Sequence, residues 1–177
     1  MTTMIHFVIT GHPVAKGRAR SVLIPKKGGG YVTTASGQPV IHHHTPAKTR
    51  TWEADARQVA RDAMKGAAPL TGPLELTINI TMAIPESWPA WKRQAALEGW
   101  IEPDGKPDLD NVVKAAKDAS NGILWLDDSQ VVSTASAKTY GDRPGVYVKV
   151  LTRETVGHHA TRAEMLEARG IQGRIAA

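Results

Sequence analysis

Two aspartates separated by a single leucine lie in the segment Lys106-Pro107-Asp108-Leu109-Asp110-Asn111. Pro107 biases Lys106 toward an extended backbone and stops any helix arriving from upstream. If the extension continues through Asp110, the period of two turns Asp108 and Asp110 to one side and Leu109 into the core. Two carboxylates aimed at one spot repel each other unless a cation lies between them. Mg²⁺ suits such a pair, because one or two protein carboxylates commonly hold it while water and substrate phosphate fill the other positions. That is the chemistry of phosphoryl transfer. The competing structural reading is that Asp110 caps a following helix and Asp108 is a solvated loop residue.

Lys114 lies one helical turn beyond Asp110. On a helix starting at Asp110 the two share a face, and the ammonium could reach back to orient a phosphate or to stabilise charge on the leaving oxygen. An ordinary i,i+4 ion pair with Asp110 or Asp118, contributing roughly 0.2–0.5 kcal/mol, would use the same lysine. Downstream, Asp127-Asp128 follows the apolar Leu124-Trp125-Leu126. An acidic pair at a turn is ordinary by itself. A helix followed by a returning strand can nevertheless bring it to the Asp108 edge, where a third carboxylate would complete a metal site. Asp128 is the favoured third ligand, with Asp127 and Asn111 behind the ligands.

The elements that must position these groups are legible from periodicity. Ile5, Phe7 and Ile9 alternate ahead of Gly11 and Pro13, predicting a strand over residues 5 to 10. Thr45-Pro46 fits an N-cap followed by proline at the first helical position, and Trp52, Ala56, Val59, Ala60, Ala63 and Met64 recur at helical spacing, so a helix is expected over about residues 46 to 65. Leu74, Leu76, Ile78, Ile80 and Met82 alternate without a miss with Glu75, Thr77, Asn79 and Thr81, the pattern of a half-buried strand. After Pro85 a short helix capped by Ser87 is expected. Val112, Ala116 and Ala119 then mark a second major helix over residues 111 to 121, with Gly122 as a left-handed C-cap. The runs VVSTASAKTY and VYVKVLT on either side of GDRPG predict a hairpin. From Arg153 onward the chain is charged with only a modest apolar stripe, and is expected to be a peripheral helix or a frayed tail.

A chain of 177 residues, 41% hydrophobic, has room for one folded domain and a tail or arm. It has no cysteine, so disulfides and thiolate ligands or nucleophiles are excluded and any metal must be held by oxygen or imidazole. That favours a hard ion, Mg²⁺ with Mn²⁺ as a substitute. The N-terminal MTTMIHFVIT lacks the basic-then-apolar pattern of a signal peptide, and no apolar run approaches the roughly 20 residues needed to span a bilayer, so a cytoplasmic location without membrane association is expected. The net charge of +5 favours a polyanionic partner, and nucleic acid is the usual one. Lys16, Arg18, Arg20, Lys26 and Lys27, with Lys48 and Arg50 at the first helix, concentrate positive charge in and beside a glycine-rich stretch over about residues 14 to 45. This stretch reads as a flexible loop or hairpin arm able to follow a phosphate backbone. Lys138 lies mid-strand near the expected site and is a further candidate for phosphate, or an exposed lysine on a sheet edge. His42-His43-His44 and His158-His159 read as loop, since consecutive residues in an extended segment cannot all face one ion. Trp52 and Trp125 fall on apolar faces and are expected in the core, while Trp88, Trp91 and Trp100 are candidates for a dimer contact.

The string PDLDNVVKAAKDASNGILWLDDSQVV resembles the core of the RusA family of Holliday junction resolvases, in which D-L-D-N-x-x-K precedes a helix and a D-D-x-Q-V segment. The resemblance extends to GHPVAKGRAR, TPAKTRTWE and AKTYGDRPGVYVKV, and so covers about residues 5 to 152, leaving the tail outside. It implies a small α+β protein of one compact domain, with a mixed sheet and two main helices packed on it. It further implies a homodimer that binds four-way junctions and nicks two strands symmetrically with Mg²⁺, a two-fold enzyme on a two-fold substrate. Carried over by motif position, the catalytic aspartates are Asp108, Asp110 and Asp128, and the essential lysine is Lys114. The expected domain is residues 1–152, with 153–177 as a tail. Two other functions fit the same residues: a branched-DNA-binding protein without catalysis, and a nuclease preferring flaps or forks.

Overall fold

The computed structural model describes residues 2–17 and 20–153. Its centre is β4 (Leu74–Ala83), whose Leu74, Leu76, Ile78 and Ile80 are fully buried, as strict alternation requires of a strand with one face in a core. On one side β4 pairs antiparallel with β6 (Gly145–Thr152), which pairs antiparallel with β1 (Met4–Thr10). On its other side β4 pairs in parallel with β5 (Val131–Gly141), giving a mixed sheet in the order β1-β6-β4-β5.

This order overturns the hairpin expected between β5 and β6. The two strands flank β4 and do not pair, and residues 142–144 carry the chain past the end of β4. A buried strand needs ladder partners along both backbone edges, and β4, the most apolar strand, takes the central place that satisfies both. The turn is crowded: a Cβ on Gly145 would stand 2.8 Å from the Ile9 carbonyl oxygen, and one on Gly141 2.7 Å from Thr81 Cγ2.

Two main helices, α1 (Ala47–Met64) and α3 (Leu109–Ser120), cover the face that carries Phe7, Ile78, Ile80, Val146 and Val148. Trp52, Ala56, Ala60 and Met64 of α1 and Val112, Ala115, Ala116 and Ala119 of α3 complete this core, the alanines letting the helices approach each other closely. The expected α+β class, a mixed sheet under two principal helices, is the one observed.

Helix boundaries differ from the expected ones in ways that matter for the site. Pro46, not Thr45, holds the N-cap position of α1, without a side-chain cap. The short helix α2 (Ala90–Leu97) starts after Pro89, and Ser87 lies in the preceding turn, because Pro89 is tolerated only at the very start of a helix. The third helix begins at Leu109, so Asp108 is its N-cap residue and Asp110 lies in its first turn. The two aspartates therefore do not alternate along an extended edge. Asn121 leaves α3 in an extended conformation, and Gly122 takes the left-handed one with φ 75°.

The stretch expected as a loop or arm is a hairpin, β2 (Arg20–Leu23) paired antiparallel with β3 (Ile41–His44) and extended by bridges between Pro25 and Tyr31 and between Thr33 and Pro39. Among the described residues no helix is long and apolar enough to cross a membrane. The segment 154–177, expected as tail or peripheral helix, lies outside the described residues.

Candidate active site

An open cleft of about 450 Å³ runs along the exposed side of α3, lined by Leu109, Asp110, Val113, Lys114, Lys117, Asp118, Asp128 and Ser136. Three elements build it. The helix supplies Asp110 and, one turn on, Lys114; the turn after the helix supplies Asp128; and β5 supplies Ser136. The parallel pairing of β4 with β5 brings the last two beside α3, since the returning strand must run alongside the helix that precedes it.

The cap expected at Asp110 does not form, because Asp110 lies in the first turn of α3. Asp108 occupies the N-cap but makes no capping hydrogen bond, and Oδ2 instead accepts from the Asn111 side-chain amide at 3.3 Å. Asp110 has no hydrogen-bond or ion-pair partner among the described residues, and neither does Lys114, so the ordinary i,i+4 pair is absent too. A carboxylate and an ammonium left unpaired on one cleft remain available to a ligand.

Asp127 and Asp128 are adjacent and chemically identical, yet they have different surroundings. Asp127 is the N-cap of a 3₁₀ turn, residues 128–130: Oδ1 accepts from the Ser129 N–H at 2.8 Å, and the Gln130 amide oxygen accepts from the Asp127 N–H at 3.1 Å. Hydrogen bonds from the Ser129 side chain and backbone hold the Asp127 carboxyl below its usual 3.8. Asp128 instead faces the cleft with Asp110. Its Oδ1 accepts from the indole N–H of the fully buried Trp125 at 2.8 Å, and Oδ2 has no partner among the described residues.

Among the described residues no three carboxylate or imidazole side chains stand together as a ready-made metal cage. Asp110 and Asp128 do suit an ion of the Mg²⁺ kind: both are hard oxygen donors on one solvent-open cleft, the kind of partial donor set that water and a substrate phosphate complete. Asp108 does not line the cleft but sits two residues from Asp110, at its N-terminal edge.

A protein-family model described as endodeoxyribonuclease RusA matches residues 11–151. The chain belongs to the RusA endodeoxyribonuclease family. An uncharacterized protein of Bacillus subtilis (strain 168), YqaN, is similar as well, with 32% identity over 148 residues that cover 82% of this chain and 94% of that protein. RusA-family membership gives the class of reaction, endonucleolytic hydrolysis of the DNA backbone, and the carboxylate cleft lies within the matched span.

Within this RusA-family fold the basic candidates divide. The Lys16 ammonium lies between Glu53 Oε1 of α1, at 2.7 Å, and Asp118 Oδ2 of α3, at 2.8 Å, while its backbone N–H donates to the Asn111 carbonyl. Held by two carboxylates, this ammonium braces the two helices against each other. Burial works against its charge, but the hydrogen bonds it donates to Asp118 and Glu53, with the attraction of their charges, outweigh it, and the Lys16 pKa is raised. The Lys138 ammonium donates to the carbonyls of Gly105 at 2.7 Å and Pro107 at 3.2 Å. Lys48 and Arg50 are exposed on the first turn of α1, and Lys26 and Lys27 are exposed on the hairpin. Arg20 begins β2, and Arg18 lies outside the described residues, as do His158 and His159. His42 packs beside Val22, Leu23, Ile24 and Pro25 on the hairpin. Trp52 and Trp125 are in the core as expected; Trp91 and Trp100 are exposed, and Trp88 stacks edge-on against Tyr140 beneath the Lys92 ammonium.

Three site residues escaped the sequence reading. Lys117 and Ser136 line the cleft. Gln130 is the hub of the Asp127-Asp128 turn: its oxygen caps the Leu126 and Asp127 N–H groups, and its amide donates to the Leu70 and Gly72 carbonyls. The D-x-x-Q spacing of Asp127 and Gln130 is a capping-box signature and was the available signal. Nothing local marks Ser136, which enters the site only through strand pairing.

Proposed function

We propose that the protein is a Mg²⁺-dependent endonuclease that resolves four-way DNA junctions as a homodimer, in recombination and repair. The observation that carries this reading is the pair of carboxylates without structural employment, Asp110 and one oxygen of Asp128, lining one cleft with Lys114 in a RusA-family fold. Asp110 and Asp128 would hold the ion, with Asp108 as the third ligand, and Mn²⁺ would substitute. Such an ion lowers the pKa of water and polarises a phosphoryl oxygen.

The chain's own groups supply the rest. Lys114 neutralises charge that builds on the phosphoryl oxygens and the leaving group. Water adds to phosphorus in line with the 3′ oxygen, the P–O3′ bond breaks, and the departing oxygen takes up a proton, leaving 5′-phosphate and 3′-hydroxyl ends. The Trp125 indole holds Asp128 in one orientation, and Asn111 does the same for Asp108. The hairpin with Arg20, Lys26 and Lys27, and Lys48 and Arg50 at its root, would follow the phosphate backbone outside the cleft, and we assign Arg18 to the same partner. A homodimer offers two such clefts related by a two-fold axis, matching two equivalent scissile strands. We assign residues 1–152 to this unit.

The test offers a synthetic four-way junction and a linear duplex of equal length to the pure protein, with Mg²⁺ or with chelator, alongside Asp110→Asn. Paired nicks in the junction, absent with chelator, are expected. Asp110→Asn should lose on the order of 10²–10³-fold in cleavage, the scale of removing a principal electrostatic group, while still binding the junction. Binding without nicking under every condition would overturn catalysis in favour of a silent junction binder, and equal cutting of both substrates would overturn junction selectivity.

A further inference from the structure

The loop between α2 and Asp108 delivers the first aspartate to the site, and it is thinly anchored. Ile101 is half-buried and Pro103 buried. Over residues 101–107, among the described residues, the only hydrogen bonds are the two that the Lys138 ammonium donates to the Gly105 and Pro107 carbonyls. Both are charge-assisted and stronger than neutral bonds. Pro107 is joined directly to Asp108, so fixing its carbonyl fixes the backbone from which the Asp108 side chain and the first turn of α3 start.

The anchor itself is rigid. Lys138 lies in the middle of β5, opposite Ile80 of the buried central strand, two residues from the cleft residue Ser136 and on the same face. Two of the three donors of this half-buried ammonium are used on a loop that has no other hydrogen bonds among the described residues.

We propose that Lys138 is a positioning residue, whose ammonium ties residues 105–107 to the sheet and so sets Asp108 relative to Asp110 and Asp128. It rests on the metal-dependent nuclease reading given above. The consequence is that Lys138 governs how well the aspartates hold a divalent ion and contributes little to holding DNA. Loss of a group that orients metal ligands typically costs about 10–100-fold in metal affinity or activity.

The test compares the full chain with Lys138→Met, which keeps length and apolar stem but has no donor. Mn²⁺ affinity is measured without DNA by the free-ion electron spin resonance signal, amide exchange is followed in the peptide covering residues 102–108, and junction affinity is measured over a salt series with Ca²⁺ replacing Mg²⁺. Expected are Mn²⁺ affinity weaker by about 10–100-fold, faster exchange confined to that peptide, and an unchanged junction Kd and salt slope. Unchanged Mn²⁺ affinity and loop exchange, with weaker junction binding and a shallower slope, would make Lys138 a phosphate contact and overturn the proposal. Should Lys138→Met lose its cooperative unfolding transition, Lys138→Gln is measured in its place with the same expected and overturning results. A wild-type protein that neither binds Mn²⁺ nor cuts DNA would sink the nuclease reading itself, an outcome distinct from a wild type that does both beside an indifferent variant.

Discussion

Asp127 and Asp128 illustrate how little residue type decides by itself. One caps a 3₁₀ turn, with its carboxylate engaged by Ser129; the other points an unengaged oxygen into the cleft because a buried indole holds its partner oxygen. This makes Trp125 more than a core residue. Trp125→Phe keeps most of the packing but removes the N–H, leaving Asp128 free to rotate. We expect Mn²⁺ affinity and cleavage to fall by about 10–100-fold, the usual cost of losing a group that orients a ligand, and stability to fall by about 1–3 kcal/mol from the lost charge-assisted bond and the small void. Titrating the ion and unfolding the variant in urea separates the two effects. An unchanged ion affinity would show that the indole merely fills space.

At the scale of elements, the site depends on how α3 is held against α1 and the sheet. Lys16 joins them through Glu53 and Asp118, with Thr49 donating to the Ala15 carbonyl nearby at 3.4 Å. Lys16→Met removes the cation and leaves Glu53, only 10% exposed, facing Asp118 without its counter-charge. We expect a loss of about 1.5–3 kcal/mol, the range for hydrogen bonds to charged groups. The pH dependence follows from the raised Lys16 pKa. The folded protein binds this proton more tightly than the unfolded chain does. Its contribution is therefore complete below the ordinary value of 10.5 and is lost as pH rises through the higher folded value. Urea unfolding of wild type and Lys16→Met should show a constant gap near neutral pH that closes only in strong alkali. A gap that closed below pH 9 would contradict this assignment.

For the molecule as a whole, the hairpin of β2 and β3 stands apart from the main sheet and shares no strand with it. Replacing residues 21–43 by a short glycine-serine turn should leave the four-stranded sheet and its unfolding transition intact. Junction affinity should drop by about tenfold or more, with the logarithmic salt slope shallower by about 0.9 for each phosphate contact removed. Mn²⁺ binding at the aspartates should not change. Fluorescence anisotropy over a salt series reads the slope, and an identical slope with and without the hairpin would remove DNA contact from its function.

Much of this was readable from the chain alone. The alternation in β4, the apolar stripes of α1 and α3 and the core placement of Trp52 and Trp125 follow from side-chain periodicity, which the local backbone imposes. The D-L-D-N-x-x-K and D-D-x-Q-V segments contain the cleft residues Asp110, Lys114 and Asp128, although Asp108 lies outside the cleft. Periodicity could not say that β4 would enter between β5 and β6, because a tight turn followed by a second apolar run looks the same whether the strands are neighbours or one strand apart. Nor could charge show which groups hold Lys16 and Lys138, since a lysine's partner is whichever carboxylate or carbonyl the fold brings to it. Secondary structure and the identity of the carboxylates were local properties, set by dihedral preference and spacing. Which aspartates share the cleft, and which acceptors hold Lys16 and Lys138, was decided only by tertiary structure, because those groups come from different elements whose meeting depends on how helix and strands pack.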